Sequence, residues 1–198
     1  MLKENQQYSF DMVVFTAPSG AGKTTIVRHL LDKYQNDLSF SISATTRPMR
    51  PMEIEGKDYY FLSNEDFKKK IEEGKFVEWE EVYEDRYYGT LKSEVDKVLE
   101  SGKKLLFDID VYGAQSIKEK YDDRCLVVFV KPPSFRVLVQ RLIDRKTENS
   151  SSFQKRVKRI KKELLFEHSF DVILLNDDLD ETLTMAEALI EKYLINPR

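Results

Sequence analysis

The run Ala17-Pro18-Ser19-Gly20-Ala21-Gly22-Lys23-Thr24 constrains this chain more than any other stretch. Before it lies Met12-Val13-Val14-Phe15-Thr16, short, apolar and β-favouring. After it, Ile26, Val27, Leu30, Leu31 and Tyr34 fall on one stripe at helical spacing. A buried strand, a tight glycine-rich turn and a helix N-terminus form the setting of a phosphate-binding loop. Gly20 and Gly22 let the backbone bend so that successive N–H groups point inward, and the helix N-terminus adds partial positive charge and unpaired donors. In that setting Lys23 reaches the β- and γ-phosphates and the Thr24 hydroxyl ligates Mg2+. Ala17 stands where the G-x-x-x-x-G-K-S/T pattern has its first glycine, and alanine serves there if the residue needs no positive φ. The competing reading is a glycine-rich strand-to-helix turn with an incidental lysine.

Further apolar strands are predicted at 104–109, 126–130 and 172–175, alternating with helices. That pattern is an α/β fold: a parallel sheet with helices on both faces, in three layers. The segment 38–91 reads differently. An alternating strand at 38–43 precedes Ala44-Thr45-Thr46-Arg47-Pro48-Met49-Arg50-Pro51, whose two prolines deny a helix. A short strand at 59–61 follows, then a helix capped by Ser63 with Asp66, then a β-like run at 76–83. This segment is expected to project from the main sheet as an insertion. Residues 144–152 are polar and lid-like, with a basic helix after them.

Composition bounds the partners. A chain of 198 residues with net charge −3 carries no global nucleic-acid signature. Cys125 is alone, so no intrachain disulfide or cysteine metal cluster forms. The polar start MLKENQQYSFD lacks the apolar core of a signal peptide, and no apolar run reaches membrane-spanning length. The expected location is the cytoplasm. His29 and His168 lack metal-ligand spacing and read as helix-surface residues.

A phosphate loop names nucleotide binding, not a reaction, so the other charged groups decide. Arg47 and Arg50, separated by Pro48 and Met49, can clamp one phosphate, with the Tyr59 and Tyr88 hydroxyls adding donors; the alternative is a solvated loop. Glu78, between Val77 and Trp79, can accept paired hydrogen bonds from guanine N1–H and its 2-amino group, or be an ordinary exposed strand glutamate. Asp108 and Asp110 end an apolar strand, on one face by alternation, where an acid holds the metal shell of a phosphate loop; the alternative is a pair of surface acids. Arg141, Arg145 and Arg156 surround the polar stretch and can close over phosphates, or form the solvated face of basic helices.

Taken together, PSGAGKTT, SATTRPMR…E..GKDYYF, FVEWEEV…YYGT, LLFDIDVYGAQSIK, VFVKPPS, RL..RKTE and NDDLDET make the chain resemble the guanylate kinases over nearly its whole length. The resemblance implies a core (1–37, 92–140 and 168–198), a GMP-binding insertion (38–91) and a mobile lid (141–167). It implies that Ser43, Glu78, Thr90 and Asp110 read the base of GMP. Arg47, Arg50, Tyr59 and Tyr88, with Glu53 close by, then hold its phosphate. ATP occupies residues 17–25, Pro18, Ser19, Ala21 and Thr25 included, with Asn176 near adenine. Lys23, Arg47, Arg141, Arg145 and Arg156 serve catalysis, and Thr24 and Asp108 the Mg2+ ion. The implied substrates are ATP and GMP or dGMP, with no nucleic-acid or membrane partner, in a monomer or homodimer. Departures from the family pattern are Ala17, Met52 before Glu53, Lys146 after the lid arginine, and a loop between Glu78 and Tyr88 one residue longer than the commonest form.

Two other readings stand beside the enzyme. A non-catalytic interaction module shares this fold, but such modules usually lose the loop lysine or glycines, and Gly22, Lys23 and Thr24 are intact. A kinase of another phosphorylated acceptor survives only if Glu78 and Asp110 do not meet guanine.

Overall fold

The computed structural model describes residues 10–144 and 150–196. Its centre is strand β1 (Met12–Thr16), buried at every position. Alternate side chains leave a strand on opposite faces. Accordingly Val13 and Phe15 pack with Ile26, Val27 and Leu30 of helix α1 (Lys23–Lys33), while Met12 and Val14 pack on the opposite face.

Strand β2 is Leu38–Phe40. After the second sheet come α3 (Lys92–Glu100), β7 (Lys104–Ile109), α4 (Val111–Tyr121), β8 (Cys125–Lys131), α5 (Phe135–Asp144), α6 (Ser150–Glu163), β9 (Val172–Leu175) and α7 (Leu179–Ile190). The main sheet has the order β2-β7-β1-β8-β9, parallel throughout. α1, α5 and α7 contribute to the cluster on one face, α3 and α4 to that on the other, as double coverage of a parallel sheet requires. Among the described residues no helix is long and apolar enough to cross a membrane.

The second sheet runs β4-β3-β6-β5, built from β3 (Ala44–Thr45), β4 (Tyr60–Phe61), β5 (Phe76–Tyr83) and β6 (Arg86–Leu91). It has a core of its own. Phe67, fully buried on α2 (Asn64–Glu72), stacks on Phe76 at 4.4 Å and on Tyr87 at 5.5 Å between ring centroids. The Ser63 cap forms as expected, its hydroxyl accepting from Asp66 N–H at 3.0 Å.

Two expectations are corrected. The strand expected at 38–43 ends at Phe40 and pairs with β7, so it is an edge of the main sheet and not part of the second. Ser41 N–H still donates to Leu106 O at 2.9 Å, and the chain crosses to the second sheet over 41–43, which leaves Ser43 at the junction. Asp110 does not share a strand face with Asp108. β7 stops at Ile109, and Asp110 caps α4, accepting from the N–H groups of Tyr112 and Gly113 at 3.1 and 2.9 Å. The polar stretch expected to form a lid falls largely on 145–149, outside the described residues; from Ser150 the chain is in α6.

Candidate active site

The loop takes the shape its glycines permit. Gly20 and Gly22 both have φ of +93°, a region other residues avoid. Ala17 is buried and is not among the positive-φ residues, so the missing first glycine costs the loop no backbone freedom. Asn176, also buried, braces the loop from beneath by donating to Ala21 O at 2.6 Å. A Cβ on Gly22 would run into that amide.

Lys23 opens α1 and turns toward the end of β7. Its ammonium pairs with Asp108 and donates to Ile109 O at 2.7 Å. Thr24 donates to the same carboxylate at 3.0 Å. Lysine, threonine and aspartate therefore converge at the mouth of the loop. Arg141, on α5, comes near from the other side, with its guanidinium close to where a Gly22 Cβ would sit.

A cleft of about 380 Å³ joins this loop to the second sheet. Residues 17–25, Ser43, Arg50, Tyr59, Glu78, Tyr88, Asp108, Asp110 and Arg156 line it, all of them picked out in the sequence. Glu78 is buried at 8% exposure, which removes the reading as an exposed strand glutamate. Its strand register pairs it with Thr90 on β6, whose hydroxyl donates to Glu78 Oε1 at 2.6 Å. Thr90 is thus a support beneath the wall and not a lining group. Close approach on the far side needs Gly113, where a Cβ would stand 2.9 Å from Glu78 Oε2.

Arg47 and Arg50 are placed differently from each other. Arg50 is 70% exposed on the cleft wall, while Arg47 is 6% exposed beneath it. Glu53 gathers both. It accepts two hydrogen bonds from the Arg47 guanidinium, at 2.5 and 2.6 Å, and one from Arg50 N–H at 2.8 Å. The Arg47 hydrogen bonds hold the Glu53 carboxyl down at about 2. Arg47 also lies 4.8 Å from the Tyr59 ring centroid, and Tyr59 meets Tyr88 edge-on at 6.1 Å. Arg145 and Lys146 lie outside the described residues. Met52 is 92% exposed, so that departure disturbs no packing.

Three charged cleft residues escaped the sequence reading: Glu80, Arg159 and Glu163. Arg159 donates to Glu163 Oε1 (2.7 Å), Asp110 Oδ2 (2.8 Å), Val82 O (3.0 Å) and both oxygens of Glu80 (3.2 and 3.3 Å). A signal existed, because Arg159 follows Arg156 by three helical positions and precedes Glu163 by four, which puts all three on one helix face. Likewise Glu80 follows Glu78 by two in a strand, on the same side.

Burial pushes Glu78 up to about 7, although the Thr90 hydroxyl pulls the other way. Burial, then the adjoining Asp110 carboxyl, push Glu80 up to about 8. Burial would raise Asp110 too, but hydrogen bonds from the Glu80 acid and Gly113 N–H, with the charges of Arg159 and Lys23, bring it below the usual carboxylate range. A stability test follows. From its ordinary 4.5 to about 7, the folded chain holds a proton on Glu78 that the unfolded chain has lost. This stabilisation is complete below 4.5 and disappears as pH rises through 7; Glu80 acts in the same sense to about 8. Groups with lowered values, such as Glu53 and Asp110, act at lower pH and with opposite sign. The ligand-free protein is therefore expected to lose roughly 2 kcal/mol between pH 5.5 and 8 through Glu78, and Glu78→Gln to flatten that slope. Melting temperatures that rise over this interval, with parallel curves for wild type and variant, would contradict it.

A parallel α/β sheet, a phosphate loop after its central strand and a cleft that runs from that loop to a second sheet define a P-loop nucleotide-binding protein. A family model described as guanylate kinase matches residues 9–193. The chain is 45% identical over 183 residues to the guanylate kinase of Porphyromonas gingivalis, covering 92% of this chain and 97% of that one. It is 49% identical over 184 residues to the guanylate kinase of Salinibacter ruber, covering 93% and 97%. The crystal structure of guanylate kinase from Anaplasma phagocytophilum superposes with a TM-score of 0.71 at 25% identity, over 94% of this chain and 86% of that one. The chain belongs to the guanylate kinase family.

Proposed function

We infer that the protein transfers the γ-phosphate of ATP to GMP or dGMP, giving ADP and GDP or dGDP. The observation that carries this is the placement of an intact phosphate loop and the buried Glu78 carboxylate on opposite walls of one cleft. Membership of the guanylate kinase family supports it, and so does the retention of Gly22, Lys23 and Thr24 that an interaction module would not need.

In this reading ATP lays its phosphates on the loop N–H groups, with Lys23 leaving Asp108 to meet the β- and γ-phosphates. Thr24 and Asp108 offer two hard oxygen donors side by side, a set that fits Mg2+. Mg2+ bound there screens the charge on the phosphates. Guanine enters between Glu78 and Asp110, and ionised Glu78 accepts from N1–H and the 2-amino group. Arg50, Tyr59 and Tyr88 face the acceptor phosphate, and Arg47 joins them from its Glu53 support. A GMP phosphate oxygen then bonds to the γ-phosphorus as the bond to the β–γ bridging oxygen breaks, and that oxygen leaves on ADP. The nucleophile is already an anion, so no strong base is required. The protein supplies alignment and positive charge, from Lys23, Arg141 and Arg156 on the donor side. The second sheet with α2 forms the acceptor-binding part, α6 belongs to the lid, and the cytoplasm is the proposed location.

The test is a stoichiometric assay. With ATP, Mg2+ and GMP, ADP and GDP are expected to appear one for one, with little ADP when GMP is omitted. ADP release that ignores GMP would overturn the reading.

A further inference from the structure

The side chains that meet at Arg159 connect the donor loop to the acceptor wall. Glu163 is buried, and its Oε2 accepts from Ser19 N–H of the phosphate loop at 3.3 Å. Its other oxygen accepts from Arg159 Nε at 2.7 Å. The far edge of the same guanidinium serves Asp110 at 2.8 Å and Glu80 at 3.2 Å. A single cation is therefore shared between the Glu163 carboxylate against the donor loop and, on the acceptor side, the Asp110 carboxylate with the Glu80 carboxyl beside it.

We propose that Arg159 and Glu163 couple the two nucleotide sites: Glu163 stands in for phosphate on a loop N–H, and Arg159 sets how firmly it stays. This rests on the ATP and GMP assignment above. A carboxylate on a phosphate-loop N–H is a competing anion, which an arriving triphosphate must displace or repel. How far Glu163 is neutralised depends on what else draws on Arg159. When guanine donates hydrogen bonds to Asp110, that carboxylate draws less on the guanidinium. Arg159 then holds Glu163 more closely, away from Ser19, and the loop is free for ATP. Linkage makes the effect reciprocal: each nucleotide tightens the other. Arg159 is thus a positioning residue, acting on ATP through Glu163.

The test is calorimetry of a non-hydrolysable ATP analogue with Mg2+, with and without GMP, on the intact protein. In wild type, GMP is expected to tighten the analogue about fivefold or more. Glu163→Gln keeps the side chain's shape and removes the competing charge; it is expected to bind the analogue about tenfold tighter without GMP and to respond little to GMP. Arg159→Met leaves Glu163 uncompensated beside the loop and is expected to weaken the analogue about tenfold, while the double variant returns to the Glu163→Gln value. A purely structural role for Arg159 predicts no such rescue. If Arg159→Met does not fold, Arg159→Lys keeps the charge without the fork. It is expected to retain wild-type analogue affinity and lose the GMP response. An unchanged affinity in Glu163→Gln, additive effects in the double variant, or an intact GMP response in Arg159→Lys would overturn the proposal. Failure of the acceptor assignment shows separately, as no heat of GMP binding to wild type; the Glu163→Gln and Arg159→Met effects are read on the donor loop alone.

Discussion

Lys23→Met is expected to lower kcat by about 10³-fold or more while GMP affinity stays within about twofold. The ammonium sits at the loop mouth, paired with Asp108 and Ile109 O, both on the main-sheet strand β7. Methionine preserves the length of the side chain and removes the charge that the transferring phosphoryl group needs. Asp108 keeps its hydrogen bond from Thr24, so the end of β7 retains a partner when Lys23 is gone. Single-turnover kinetics measure the first effect and titration calorimetry the second. A folded Lys23→Met protein that no longer bound GMP would contradict the separation of the two sites.

Glu78→Gln is expected to weaken GMP by about 10²-fold and leave the ATP analogue unaffected. The amide keeps the volume between Thr90 and Gly113, but it loses the charge and presents a donor toward guanine's own donors. The pH dependence gives a second signature. Because burial pushes the Glu78 carboxyl up to about 7 when no ligand is bound, GMP affinity in wild type is expected to improve from pH 6 to pH 8 as the carboxylate ionises. In the variant this dependence should be largely lost. An equal loss of ATP affinity in Glu78→Gln would mean that Glu78 supports the whole cleft and not the acceptor alone.

The phosphate loop was legible in the sequence because its information is contiguous. Strand, glycines, lysine and helix stripe follow one another, and local geometry does the rest. The central strands were legible for a similar reason, as apolar runs buried on both faces. Alternation also revealed a strand after Leu38, but periodicity carries no record of the partner, and β2 joined the main sheet through its pairing with β7. Asp110 was misplaced by the same logic carried one residue too far: the strand ends at Ile109 and a helix cap begins.

Glu78 shows where sequence reasoning stops. Its burial depends on a cross-strand neighbour twelve residues on, Thr90, and on a glycine in α4, neither visible from the local run. Arg159 was harder still. Its partners come from β5, from the cap of α4 and from its own helix, so only the tertiary fold makes it a hub. Asn176 was singled out by resemblance alone, and its hydrogen bond to Ala21 O, 155 residues away in the chain, could not be read from the local run.

The most direct test of the assignment is an acceptor panel: kcat/KM for GMP, dGMP, AMP, CMP and UMP with ATP and Mg2+ held saturating. Guanine carries the N1–H and 2-amino donors that Glu78 and Asp110 can accept, whereas adenine presents a bare N1 and no 2-amino group. A buried carboxylate left facing an acceptor atom is heavily penalised, so GMP is expected to exceed AMP by about 10⁴-fold, with dGMP near GMP and both pyrimidine nucleotides near AMP. Comparable kcat/KM for AMP and GMP would contradict the account.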